Sequence, residues 1–138
     1  MFVVLAAAGS TDPGAIEGIR MLAKDWRARG WADVIPAFAS AASPTVPEAV
    51  AALRRAGAER VVVASYLLFP GQFADRIAAA ARDAGAAAVS APLGATPELV
   101  DLVLARYDAA ASIAWGSSQP AGVSHDRIRH APGRPAHR

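Results

Sequence analysis

The 138-residue chain contains no cysteine. That excludes disulfides, thiolate nucleophiles and cysteine-ligated zinc, and it fits a cytoplasmic protein. Aromatic residues make up only 7% of the chain, although 54% of it is hydrophobic. The core must therefore be assembled from aliphatic and small side chains, alanine above all. No apolar run approaches the roughly 20 residues that cross a bilayer, so no membrane segment is expected. The leading "MFVVLAAA" has no basic start and reads into a turn, unlike a signal peptide.

Excess charge is also missing from most of the chain. Residues 1–111 hold 10 Lys/Arg against 11 Asp/Glu, whereas residues 112–138 hold four arginines against Asp126 alone. The net charge of +2 thus belongs to the end of the chain, and nucleic-acid binding by the folded part is not expected. Histidine is confined to the same end, as His125, His130 and His137. Spacings of five and seven match no preorganised metal site, and a solvated tail is the default, with loose metal delivery the alternative.

What is present is alternation. "FVVLAAA" (2–8) and "RVVVASYLLF" (60–69) are continuous apolar runs, as expected of strands buried on both faces. "DVIPAF" (33–38) and "AAAVSAP" (86–92) are weaker strands, the first placed at an edge by Pro36, which cannot donate to a ladder. Between and after them apolar residues recur at helical spacing: Ile16, Ile19, Leu22 and Trp26; Val46, Val50 and Leu53; Phe73, Ile77 and Ala81; Leu99, Leu102, Val103 and Tyr107. Asp12 caps the first helix, with Pro13 at its first position, and Gly30, Gly57 and Gly85 fall where helices should stop. Strand and helix alternating four times imply an α/β, flavodoxin-like three-layer domain with a four-stranded parallel sheet. Strands 2–8 and 60–66 should be its two central members. The domain should span 1–111, followed by a disordered basic tail from 112 to 138.

Parallel strands end on one side, so "AAAGSTDP" (6–13), "AFASAASPTVPEAV" (37–50) and "ASYLLFPGQFADRI" (64–77) should share an edge. "AGSTDP" is neither a phosphate-binding loop with a lysine nor a dinucleotide fingerprint. Gly9, Ser10 and Thr11 at a helix N-terminus suit a carboxylate or phosphate, and the plainer reading is a tight turn with Asp12 as a cap. Arg76 and Gln72 would contribute to the same ligand site, Arg76 otherwise lying on a solvated helix face. For Tyr66, Phe69 and Phe73 a place in the core is the expectation, and a shelf beneath a flat ligand the alternative.

Over residues 3 to 110 these segments resemble the CbiX/SirB family of sirohydrochlorin chelatases. The resemblance rests on "GSTDP", "AFASAASPTVPEAVAALRRAGAERVVV" and "LLFPGQFADRI". It implies a chelatase-like fold, an acid-rich tetrapyrrole as ligand, and Co2+, Fe2+ or Ni2+ as the inserted metal. The family carries His-Gly-Ser in the first corner where this chain has Ala8-Gly9-Ser10. Its second histidine, two residues after Pro-Gly, falls at Phe73, and its acidic position falls at Ser40. Metal insertion needs groups that hold a divalent cation and accept pyrrole protons, which imidazoles do and these three side chains do not. No catalytic residue and no metal ligand is therefore assigned. The resemblance is to the carboxyl-terminal, histidine-lacking copy of the two-copy members. It implies a half-domain in cobalamin or siroheme synthesis that works with a histidine-bearing copy. A stand-alone binder of a tetrapyrrole or another anionic small molecule is the alternative, and a catalytically active homodimer ranks last.

Overall fold

A computed structural model of the protein describes residues 1–30 and 33–115. Four strands, β1 (Phe2–Ala7), β2 (Asp33–Phe38), β3 (Val61–Ser65) and β4 (Ala88–Val89), alternate with α1 (Pro13–Ala28), α2 (Val46–Arg55), α3 (Gln72–Asp83) and α4 (Pro97–Trp115). All neighbouring strands pair in parallel, and the order across the sheet is β2-β1-β3-β4. The two uninterrupted apolar runs thus hold the centre, as expected. β2 lies at one edge, where the missing N–H of Pro36 is tolerated because only one side of the strand is paired.

Side-chain caps begin α1 and α2, and glycines follow the ends of α1, α2 and α3. The Asp12 side chain accepts the Gly14 amide at the head of α1. Thr45 and Glu48 form a reciprocal capping box at the head of α2. Gly30, Gly57 and Gly85 take positive φ just beyond the ends of α1, α2 and α3.

The period-2 alternation of the strands sorts their side chains onto two faces. On one, Val3, Leu5 and Val34 pack with Ala23, Ile19 and Trp26 of α1. On the other, Val4, Ala6, Ala37, Val61 and Val63 pack with Val46, Ala49, Val50 and Leu53 of α2 and with Ile77 and Ala81 of α3. Arg54 ties these last two helices by donating to the Gly85 carbonyl. The result is three layers: α1, the sheet, and the α2–α3 pair.

Several expectations for the sheet and for α1 and α3 need correction. The apolar run 60–69 is not one strand: β3 stops at Ser65, and Leu68 and Phe69 beyond it are exposed. β4 has only two residues, because just Ala88 and Val89 pair with β3. Leu22 is 38% exposed, and the inner contact of α1 falls instead on Ala23, whose missing bulk lets the helix approach the sheet. Phe73, expected in the core, is 42% exposed, and α3 is anchored by Ile77 and Ala81.

The chain divides into two compact units after Thr96, and α4 belongs to the second. The reading of α4 as a one-faced helix does not hold. None of its side chains is buried, and Val100 and Leu104, outside the expected stripe, extend its apolar surface beyond Leu102 and Val103. The helix also continues past residue 111 to Trp115. The remainder of the expected tail, 116–138 with its three histidines, lies outside the described residues. Among the described residues no helix is long and apolar enough to cross a membrane.

Candidate functional site

The carboxyl ends of β1 and β2 are stitched together where the first corner forms. The Ala39 amide donates to the Ala7 carbonyl at 2.9 Å, and the Ser40 amide donates to the Ala8 carbonyl at 3.0 Å. The Ser40 hydroxyl donates to that same Ala8 oxygen at 3.1 Å. Gly9 then turns the chain with φ of +94°, and a Cβ there would lie 1.8 Å from the Ser40 carbonyl oxygen. Only a hydrogen fits. Beyond it the Ser10 hydroxyl accepts the Asp12 amide at 2.9 Å, and an Asp12 carboxylate oxygen accepts the Gly14 amide at 2.8 Å. Both polar side chains are engaged in shaping the turn.

This corner opens a pocket of about 210 Å3 on the α1 side of the sheet. Its wall is Ala7, Ala8, Gly9 and Ser10 from the corner, Ala15, Ile16 and Ile19 from α1, and Phe38 and Tyr66 from the ends of β2 and β3. Tyr66 is placed by its amide, which donates to the Ala6 carbonyl at 2.7 Å, and its ring remains 41% exposed. The wall thus offers one serine hydroxyl, one phenol and backbone groups, with no imidazole, carboxylate, amine or guanidinium. The Tyr66 phenol, like the Ser10 hydroxyl, is a hydrogen-bonding group. Such a pocket can take a flat or apolar group and donate hydrogen bonds. It has nothing that binds a divalent cation strongly.

A second pocket, about 240 Å3, lies on the α2–α3 side. Phe38, Ala39 and the first residues of α2 form one wall, and Arg76, Ile77 and Ala80 of α3 form the other. Phe38 borders both pockets.

Of the residues expected at a ligand site, Gly9 and Ser10 meet at the first pocket, joined by Ala8, while Arg76 belongs to the second. Thr11 and Gln72 are exposed and line neither. Ser40 acts on the corner through the Ala8 carbonyl, and Phe73 is exposed outside both pockets. Among the described residues no group of three or more His, Cys, Asp or Glu side chains could hold a metal ion.

The aromatics of this edge are not core. Tyr66, Leu68, Phe69, Phe73 and Leu93 are each 41–57% exposed. The loops that follow β3 and β4 are joined, since the Leu93 amide donates to the Leu67 carbonyl and the Gly94 amide to that of Leu68. Sequence reading missed the wall role of Phe38 and the hydrogen bonds of Ser40. The "AF" before Ser40 was a usable signal for the first, because it ends a strand on the ligand side of the sheet.

A family model described as CbiX matches residues 2–110. No curated protein matches the chain. Among crystal structures, a CbiX protein of Marinobacter aquaeolei VT8, named for cobalamin (vitamin B12) biosynthesis, superposes with a TM-score of 0.65 at 19% identity. The match covers 82% of this chain and 96% of that one. At that identity the superposition shows the shared parallel α/β fold, and the family match rests on the sequence itself. A match over residues 2–110 takes in all four strands and both pockets, and the chain belongs to the CbiX family.

Proposed function

We propose that the chain is a non-catalytic half of a sirohydrochlorin cobalto- or ferrochelatase. It would supply cleft wall and interface in cobalamin or siroheme synthesis and rely on a histidine-bearing copy for metal insertion. The observation that carries this reading is the wall of the corner pocket, which is built without a titratable side chain other than the Tyr66 phenol. Insertion of Co2+, Fe2+ or Ni2+ requires two pyrrole N–H protons to be accepted while the incoming ion is held. Ala8 and Ser40 stand where the family has an imidazole and an acid, and the Asp12 carboxylate is taken up by the α1 cap. The exposed apolar rim of Leu68, Phe69, Phe73 and Leu93 is of the kind that partner surfaces cover.

Cobalt insertion into sirohydrochlorin by the chain alone, and by its mixture with a histidine-bearing CbiX copy, tests the proposal. The expected result is the spontaneous rate for the chain alone and a faster rate, with complex formation, for the mixture than for the copy alone. Insertion by the isolated chain overturns it.

The exposed Tyr66, Phe69 and Phe73 rings also support a second reading, a stand-alone binder with an apolar shelf under a flat tetrapyrrole. Tight tetrapyrrole binding by the chain, with no complex formed with any histidine-bearing copy, favours that reading over the first.

A further inference from the structure

The second pocket differs from the corner in its chemistry. Ala39, Pro47 and Ala80 give its wall aliphatic surface, Thr45 adds a hydroxyl, and Arg76 adds the one full charge, while Val46 and Ile77 also line it but are almost wholly buried. No ion pair occupies that guanidinium, since Glu17–Arg20 is the only pair among the described residues. The acids nearest in sequence on the two helices stay out of the wall. Glu48 turns its carboxylate to the Thr45 amide at 2.7 Å, and Asp75 lines neither pocket.

An unpaired guanidinium beside an apolar slot selects for two features in one ligand group. The planar fork favours a carboxylate, which it binds with two parallel hydrogen bonds. The aliphatic wall favours a short hydrocarbon stem behind that carboxylate, which a free phosphate lacks. We infer that the α2–α3 pocket is a subsite for a short aliphatic carboxylate arm, of the acetate or propionate type, bound by Arg76. Phe38, common to both pockets, sets the step between them. A ligand whose flat body lies in the corner reaches the subsite with an acid arm passing Phe38, an extension that rests on the tetrapyrrole reading above.

Amide and arginine side-chain NMR spectra at constant ionic strength test the subsite directly, with sodium propionate as probe and propionamide as its uncharged counterpart. Propionate is expected to shift the Arg76 Nε–Hε signal and the Val46 and Ile77 amides saturably, and propionamide to leave them in place. Arg76→Gln should abolish the response, and Arg76→Lys should keep part of it. Arg76 is exposed, so both variants should fold. An equal response to both probes, no saturable response, or one that survives Arg76→Gln overturns the inference.

Fluorescence titration with an octacarboxylate porphyrin then separates the subsite from the function. Arg76→Gln should weaken binding on the order of tenfold, the loss of one charge-assisted pair. Unchanged porphyrin affinity in Arg76→Gln overturns the subsite and spares the tetrapyrrole reading. An intact propionate response with no porphyrin binding overturns the tetrapyrrole reading and spares the subsite.

Discussion

Ser40 grips Ala8 twice, with its amide at 3.0 Å and its hydroxyl at 3.1 Å to one carbonyl oxygen. The position that resembles an acidic site of the family is thus a hydrogen-bond donor that locks two strand ends together. Ser40→Ala removes one partly buried bond and should lower stability by about 1 kcal/mol, or roughly 4–8 °C in melting temperature for a domain of this size. Ser40→Asp should cost more, because a carboxylate cannot donate and would face the Ala8 oxygen. Thermal denaturation of the two variants checks the order. A Ser40→Asp variant as stable as the parent would show that the hydroxyl bond contributes nothing.

Gly9 is the least replaceable residue of the corner. A methyl group there meets the Ser40 carbonyl at 1.8 Å and imposes a left-handed φ on an L-residue. Gly9→Ala should destabilise by about 3 kcal/mol or more, because the obstruction is backbone and no side chain can swing aside. Ala8→Gly, one residue away, should cost less than half as much. Equal losses in urea melts would place the constraint elsewhere.

Hydrogen exchange should rank the strands. β3 pairs on both sides, and Val61 and Val63 are fully buried, whereas β2 pairs only with β1. Amides of 61–63 should exchange at least about tenfold more slowly than those of 33–35, since edge amides open locally and central ones need larger unfolding. Exchange of the two sets at one rate would contradict the observed order.

Restored histidines should separate scaffold from chemistry. Ala8→His places an imidazole in the wall of the corner pocket, and Phe73→His adds one at an exposed position near the head of α3. The double variant should insert cobalt into sirohydrochlorin above the spontaneous rate, with the parent at that rate. Imidazole titration supplies the sign of the pH dependence: insertion should rise as pH passes upward through the histidine range, because only the neutral ring accepts a proton or binds metal. A variant whose rate falls over that interval would be acting by another route.

The sheet was legible because burial on both faces leaves a one-dimensional trace, an unbroken apolar run, and because Asp12 and Gly30 mark helix ends by local chemistry alone. The end of β3 was not. Ser65 and Tyr66 sit inside an apolar run, and nothing in Tyr66–Phe69 says that these side chains leave the sheet to form an exposed rim. Periodicity likewise marks the sides of α1 and α3 without showing which residue of each side makes the inner contact, which is why it favours Leu22 over Ala23 and places Phe73 in the core. The corner was found through its glycine and its cap. Its partner Ser40 was not linked to it, since a hydrogen bond across 32 residues leaves no local signature. The division of the ligand residues between two pockets depends on Phe38 standing between them, a fact of three dimensions.

Ala8 is held through its main-chain carbonyl, which accepts both Ser40 bonds, while the residue also lines the corner pocket. Shape and wall chemistry are therefore set by different atoms of this one residue. A side chain introduced at position 8 would change what the pocket wall offers a ligand while leaving in place the two Ser40 bonds that shape the corner.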